Sequence, residues 1–206
     1  MELPSKYIEN AVEQFAGLPG IGKRTALRLA LHILNQSESD VLQFSESFLE
    51  MKRRVKHCSE CHNVSDQDTC AICSSPKRDR STICVVEDMR DVIAIENTNQ
   101  YFGLYHILGG IISPMDGIGP ADLNVITLLK KASSEEIREV VFALPTTMEG
   151  DTTGFYLYKK LKDTNVKLSA IAKGIAIGDN LEFTDEITLG RSILNRMPYE
   201  SNLVKY

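Results

Sequence analysis

Two cysteine pairs, Cys58-Ser-Glu-Cys61 and Cys70-Ala-Ile-Cys73, stand in a polar stretch of the chain with eight residues between them. Each pair can present two thiolates to one ion, and a closed shell of four thiolates is typical of structural Zn²⁺ sites. Residues 57–80 are too few to build a hydrophobic core of their own. Because a bound metal can take the place of such a core, the spacing predicts a compact zinc module.

Other interpretations of the cysteines fit the pattern less well. A thioredoxin-like redox pair would need a surrounding β–α–β unit, and the two pairs lie together without one. His57 and His62 adjoin the first pair and could replace a ligand, but four cysteines already fill the coordination sphere. We therefore interpret both histidines as solvated loop residues. Cys84 lies apart from the other four cysteines, within an apolar run. We interpret it as a buried residue that behaves as a small apolar side chain.

Upstream of the cysteines, apolar residues recur at the spacing typical of helices. The stretch Leu18-Pro-Gly-Ile-Gly22 joins two of these predicted helices. The glycines permit a tight turn, and the free N–H groups at the start of the second helix favour a phosphate. The alternative is a turn that only packs two helices together. A second basic cluster lies between Lys52 and Lys56. The turn and its helices resemble the helix-hairpin-helix motif, which holds nucleic-acid backbones without reading sequence. The resemblance implies DNA contacts at Gly20, Gly22, Lys23, Arg24 and Arg28.

Downstream of the cysteines, runs typical of buried strands alternate with helical runs. The predicted strands are 82–86, 139–144 and 167–172, and the predicted helices are 88–97, 121–132, 152–162 and 185–195. This order favours an α/β layer with a largely parallel sheet.

Three carboxylates follow the predicted strands. Glu87 comes after the first strand, and Glu149 and Asp151 come after the second. Because ligand sites in α/β sheets lie beyond the carboxyl ends of the strands, these oxygens could converge and suit Mg²⁺. Two structural alternatives stay open: Asp151 could cap the helix that follows it, and Glu87 could pair with a basic neighbour such as Arg90.

The composition is that of a globular protein. Of the 206 residues, 43% are hydrophobic and 25% are charged, and no apolar run approaches the roughly 20 residues that span a bilayer. The first residues do not resemble a signal peptide, so we expect a cytoplasmic protein without membrane contact. The net charge is −5, but residues 1–80 contain as many basic as acidic residues. The N-terminal part could therefore meet a polyanion.

Taken together, these stretches resemble the RecR family of bacterial recombination mediators over nearly the whole chain. Glu87 matches the Toprim glutamate, and Glu149 and Asp151 match its second acidic motif. Two stretches, Leu144-Pro-Thr-Thr147 and Gly174-Ile-Ala-Ile-Gly-Asp-Asn180, depart from the usual family pattern. The most specific matches are Leu18-Pro-Gly-Ile-Gly22, Cys70-Ala-Ile-Cys73, Ile83-Cys-Val-Val-Glu-Asp88, Tyr105-His-Ile-Leu-Gly-Gly-Ile-Ile-Ser-Pro114, Asp116-Gly-Ile-Gly-Pro120 and Glu149-Gly-Asp151.

The resemblance implies a chain of four modules. These are a helix-hairpin-helix DNA-binding region (1–56), a four-cysteine zinc finger (57–80), a Toprim α/β domain with a parallel sheet (81–175), and a C-terminal Walker-B-like segment with a helix (176–206).

The resemblance also implies a function: a non-catalytic mediator in DNA repair that binds DNA without sequence preference. Such a protein would form a homodimer or a ring-like homotetramer and act with RecO and RecF to help load RecA onto single-stranded DNA coated by SSB. It would carry structural zinc and at most a weakly bound Mg²⁺. Two alternatives stay open: a Toprim-type Mg²⁺-dependent nuclease or primase, and a protein scaffold without direct DNA contact.

Overall fold

The computed structural model describes residues 3–198, which form two compact units. The first unit comprises the chain up to Val55, and the second comprises the chain from Lys56 onward.

Three helices make up the first unit: α1 (Lys6–Ala16), α2 (Lys23–Leu34) and α3 (Glu38–Arg54). α1 and α2 pack along each other, and the small residues Ala26 and Ala30 are the buried residues of α2. α3 begins after Ser37, whose hydroxyl accepts the N–H of Asp40 at 3.2 Å, as an N-cap does. No residue of α3 is buried.

The second unit opens with the cysteine-rich module. Its strands β1 (Lys56–His57) and β2 (Val64–Ser65) pair in antiparallel fashion, and α4 (Ala71–Ser74) is a single helical turn. The four cysteines form the buried centre of this module. Elements this short have almost no apolar surface to bury, as the sequence predicts.

A four-stranded parallel sheet follows, in the order β4-β3-β5-β6. Its strands are β3 (Asp79–Val86), β4 (Gly103–Ile107), β5 (Glu139–Ala143) and β6 (Lys167–Ala170). The parallel sheet is confirmed. β4 is not among the predicted strands, because its five residues are all buried and show no alternation of polar and apolar side chains.

Helices cover both faces of the sheet. α5 (Met89–Asn97) lies on one face, and α6 (Val125–Ala132) and α7 (Met148–Leu161) lie on the other. Successive residues of β3 show the division, since Val85 packs with α6 and α7 while Val86 packs with α5. Two single 3₁₀ turns, Pro114–Asp116 and Pro120–Asp122, lie between β4 and α6.

Residues 174–198 add no strand to the sheet. They contain a 3₁₀ turn (Leu181–Phe183) and α8 (Glu186–Leu194), which Asp185 caps. The last part of the predicted C-terminal segment, 199–206, lies outside the described residues. None of the described helices has the length and apolar character needed to span a bilayer.

Candidate functional site

The four cysteines bring their sulfur atoms into one buried cluster. Each cysteine is at most 6% exposed, and the sulfurs all lie within 4.8 Å of one another. The N–H of Cys70 donates to the Cys58 sulfur at 3.2 Å, and the N–H of Cys73 donates to the Cys70 sulfur at 3.5 Å. Such donors favour thiolates over thiols. The donor set therefore fits the closed tetrahedral shell of a structural Zn²⁺.

The thiols of this cluster do not ionise alike. A hydrogen bond with Cys73 lowers the pKa of Cys61 to about 5, whereas the same contact and burial raise the pKa of Cys73. The proton of Cys61 is therefore lost readily, whereas burial and the neighbouring negative charge raise the pKa of Cys70 and Cys73. A cation at the centre of the cluster would offset that rise, because metal ligands bind in their deprotonated form.

His62 is not the solvated loop residue that was predicted. It has a positive φ of 64° and is half-buried. Its Nε2 lies 2.8 Å from the Thr127 hydroxyl of α6, and its ring stands edge-on to the His106 ring with centroids 5.2 Å apart. His57 remains exposed. His62 thus anchors the cysteine module to the sheet domain without serving as a ligand.

The cysteine module also contacts the sheet through its backbone. The N–H of Ile107, in β4, donates to the carbonyl oxygen of Cys61 at 2.9 Å. The neighbouring His106 is fully buried, and its burial lowers its pKa to about 3. The neutral ring can donate from Nε2 to the Asn124 carbonyl oxygen at 2.8 Å. The sequence analysis did not single out His106, although a histidine within an apolar strand indicates a buried polar group that needs a hydrogen-bond partner.

The predicted hairpin joins α1 to α2 through an open turn. The Ile21 N–H donates to the Leu18 carbonyl oxygen at 3.1 Å, and Gly20 has a φ of 77°, which glycine adopts without steric cost. Gly22 caps α2 without a side chain, so the N–H groups of the first turn stay available to an anion. No atom lies within 4 Å of a Cβ built at either glycine.

The cations of the hairpin surround this helix end. Lys23 and Arg24 are exposed in the first turn of α2, and Arg28 is exposed one turn later. Within residues 3–198 none of the three forms an ion pair. The structure therefore places four of the five predicted DNA-binding residues at the N-terminal end of α2, with Arg28 one turn further along the helix.

Acidic residues of α1 moderate this positive charge. Glu9 and Glu13 share with Lys23 and Arg24 the lining of a cavity of about 390 Å³ between α1 and α2. The sequence alone does not show that these acids of α1 face the cations of α2. Opposite charges nearby lower the local potential, so a single hairpin should attract a polyanion only modestly.

The second basic cluster lies at the C-terminal end of α3. Lys52, Arg53 and Arg54 occupy its last turn, where cations also favour the helix dipole. Arg54 pairs with Glu50 at 2.8 Å. The helix dipole and the pair with Glu50 therefore give this cluster a role in stabilising α3, without any ligand.

The three predicted acids lie at one edge of the sheet. Glu87 directly follows β3, and Glu149 and Asp151 lie in the first turn of α7, which follows the neighbouring parallel strand β5. Burial, with the charges of Asp88 and Asp91, raises the pKa of Glu87. Among residues 3–198 no group of three carboxylates is gathered closely enough to hold a metal. Mg²⁺ binding therefore stays a prediction.

The alternative that Asp151 caps a helix is wrong. α7 begins at Met148, four residues before the predicted start, and its cap is Thr147, whose hydroxyl accepts the Gly150 N–H at 3.1 Å. Asp151 therefore lies inside the helix. Gly150 lowers the helix propensity of the first turn, so the sequence alone does not indicate that the helix begins at Met148.

The alternative that Glu87 pairs with Arg90 is also wrong. The Arg90 guanidinium instead contacts Asp88, which caps α5. The Asp91 carboxylate accepts the N–H groups of Glu87 and Asp88, both at 3.1 Å. Local carboxylates thus hold the loop after β3, and Glu87 forms no ion pair within the described residues.

Asp151, by contrast, has two basic partners. One carboxylate oxygen lies 2.5 Å from Lys173 Nζ, and the other lies 3.6 Å from the Arg191 guanidinium. The hydrogen bond from Lys173 is the main reason that the pKa of Asp151 lies below its usual value. No sequence signal points to these pairs, because their members lie far apart along the chain.

Family models match almost the whole chain in the predicted order. They describe a RecR helix-hairpin-helix (8–52), a RecR zinc finger domain with four cysteines (55–75), a Toprim domain (81–172) and a RecR C-terminal region (174–197). These matches confirm the predicted fold class, and together with the sulfur cluster they support zinc binding.

Curated relatives agree with the family models. The recombination protein RecR of Porphyromonas gingivalis is 57% identical over 98% of both chains. The RecR protein of Bacteroides thetaiotaomicron is 58% identical over 95% of both chains, and that of Flavobacterium johnsoniae is 54% identical over 97% of both. The chain therefore belongs to the RecR family of recombination proteins.

Proposed function

We propose that this protein is a non-catalytic mediator of recombinational DNA repair that binds DNA as a homodimer or homotetramer. In this proposal it encircles DNA as a clamp and acts with RecO and RecF to help load RecA onto single-stranded DNA coated by SSB. The single observation that carries the proposal is the hairpin at residues 17–24. An open glycine turn, a helix N-terminus and cations that form no ion pair with any described residue coincide there.

Such a hairpin suits phosphate rather than bases. Backbone N–H groups and flexible cations contact phosphate oxygens and carry no sequence information, so binding should be independent of sequence. The logarithm of the binding constant should fall with the logarithm of salt concentration, by about 0.9 per duplex phosphate neutralised and about 0.7 on single strands.

Self-association would give this weak contact a useful affinity. One hairpin offers few phosphate contacts, and Glu9 and Glu13 oppose its charge. Several hairpins on one DNA would act together through their high effective concentration. The apolar residues exposed on α3, which include Phe44 and Phe48, give a physical reason for chains to associate.

The non-catalytic part of the proposal rests on the acids. Asp151 is already engaged by Lys173 and Arg191, and within residues 3–198 no group of three carboxylates is gathered closely enough to hold a metal. Such an arrangement is poorly suited to hold the Mg²⁺ ions of a phosphoryl-transfer site, which require free carboxylate oxygens brought close together.

The test compares two charge reversals of equal size. Lys23→Glu with Arg24→Glu alters the hairpin, and Lys52→Glu with Arg53→Glu alters the end of α3. Fluorescence anisotropy on labelled duplex and single strands at several salt concentrations gives the affinity and the salt slope. We expect the hairpin pair to weaken binding at least about tenfold and to reduce the slope, because each lost phosphate contact removes its share of released counterions.

The control pair should leave the affinity within about twofold of wild type, and both variants should keep their helix content. An unchanged affinity of the hairpin pair would mean that the turn only packs α1 against α2. Incubating the wild-type protein with labelled DNA and Mg²⁺ tests the catalytic alternative. Cleavage that disappears in Glu149→Ala would overturn the non-catalytic part.

A further inference from the structure

The carboxylate of Asp151 joins two distant parts of the second unit. Its helix, α7, covers the sheet, whereas Lys173 follows β6 and Arg191 lies on α8. The two contacts use different oxygens, Oδ1 for Lys173 at 2.5 Å and Oδ2 for Arg191 at 3.6 Å. One side chain therefore contacts both Lys173, which directly precedes the C-terminal segment, and the helix of that segment.

Little else holds that segment. α8 has no buried residue, and of the apolar side chains in 174–198 only Ile175 and Leu189 are half-buried. The hydrogen bonds made within this stretch, such as Thr188 to Asp185, join residues of the segment to each other. Within the described residues, the contact between Arg191 and Asp151 is the one ion pair or hydrogen bond that ties 174–198 to the sheet domain.

The neighbouring acids do not share this role. Glu149 precedes Asp151 by two residues on the same helix, yet its side chain makes no ion pair or hydrogen bond within residues 3–198. The pairing is therefore particular to Asp151 and does not follow from general charge at this edge of the sheet.

We propose that Asp151 is an ion-pair latch that holds the C-terminal segment, residues 174–198, against the sheet domain. While the latch is closed, the two basic side chains occupy the carboxylate and keep it from a divalent cation. The segment and a cation thus compete for one side chain, which makes this an autoinhibitory contact within the fold. The proposal is independent of DNA binding by the hairpin.

Hydrogen exchange of α8 tests the latch directly. Asp151→Asn keeps the size of the side chain and removes its charge, and Arg191→Gln removes the partner. Each should speed exchange of the α8 amides by about two- to fivefold at low salt, the effect of losing one half-exposed ion pair. The differences should vanish near 1 M salt, because screening opens the latch in the wild-type protein as well.

Glu149→Gln is the matched control, since it removes an equal charge from the same helical turn without touching the latch. Its α8 exchange should equal that of the wild-type protein. The double variant Asp151→Asn with Arg191→Gln should exchange no faster than Asp151→Asn alone, because that single variant already removes the contact with Arg191. Unchanged exchange in Asp151→Asn, or an equal rise in Glu149→Gln, would overturn the latch.

Competition with a cation is measured with Mn²⁺, whose free and bound forms differ in their electron paramagnetic resonance signal. Lys173→Gln with Arg191→Gln frees Asp151, so this variant should bind Mn²⁺ at least about threefold more tightly than the wild-type protein. Adding Asp151→Asn to that variant should abolish the gain. Equal affinities in the wild-type protein and the double variant would overturn the autoinhibitory part of the proposal.

Discussion

Gly150 stands between two of the Toprim acids, and its position leaves no room for a side chain. A Cβ built there would lie 2.0 Å from the carbonyl oxygen of Pro145, which is backbone and cannot swing away. We expect Gly150→Ala to lower the free energy of unfolding by about 1–3 kcal/mol, since overpacking displaces the chain. Chemical denaturation followed by circular dichroism measures this loss.

Gly154, one turn further along α7, provides the comparison. The nearest atom to its Cβ position is Leu144 Cδ1 at 3.8 Å, an ordinary contact. Gly154→Ala should therefore be neutral or stabilising by up to about 1 kcal/mol, as alanine favours a helix over glycine. If both variants unfold alike, close packing is not the reason for glycine at position 150.

The role of an individual residue was predictable from the sequence where its partners lie close to it along the chain. The cysteine pairs and the turn around Gly20 each lie within a short stretch of the chain, so sequence alone located the sulfur cluster and the turn. The partners of Asp151 and the burial of His62 depend on contacts across tens of residues. Single-sequence patterns do not record such contacts, and the predictions for these two residues failed or were missing for that reason.

α3 is a helix of 17 residues without a buried side chain. Phe44 and Phe48 stack edge to face with centroids 4.9 Å apart, and each is at least 43% exposed. We expect Phe44→Asp with Phe48→Asp to shift the solution mass from a multiple of 23.0 kDa toward that of a single chain, since charges oppose burial of this face. Light scattering after size exclusion measures the mass.

Ser45→Asp with Ser47→Asp adds the same charge at exposed polar positions of α3 and should leave the mass unchanged. Helix content by circular dichroism should be the same for both pairs. A mass unaffected by the phenylalanine changes would mean that chains associate through another surface or not at all.

Helices and strands were predictable when their patterns were long. The helices on either side of Leu18-Pro-Gly-Ile-Gly22 were predicted correctly from the spacing of the sequence. β4 was missed because its five buried residues show no alternation of polar and apolar side chains. The start of α7 was predicted too late because Gly150 lowers the helix propensity of the first turn. In both cases packing against the rest of the second unit, which no local pattern contains, decides the structure.

Removal of the metal should disturb more than the cysteine module. The module contacts the sheet domain through Cys61 with Ile107 and through His62 with Thr127. Stripping the zinc with a chelator should therefore speed hydrogen exchange both in residues 56–75 and in β4. Metal analysis of the untreated protein should give about one zinc per chain, as four ligands require.

Cys58→Ser should reproduce the effect of the chelator, because one missing thiolate opens the shell. Cys84→Ser is the control, since Cys84 is buried within β3 and takes no part in the sulfur cluster; this variant should keep its zinc. Full zinc content and normal exchange in Cys58→Ser would contradict a structural metal site.

The hydrogen bond from Ile107 to Cys61 also bears on solubility. β4 is one of the two outer strands of its sheet, and an uncovered outer strand can recruit strands from other molecules into insoluble aggregates. The cysteine loop shields β4 at Ile107, and the metal holds that loop in shape. In a cell starved of zinc, newly made chains would therefore tend to aggregate before they could serve in repair, so zinc supply would set how much of this protein survives.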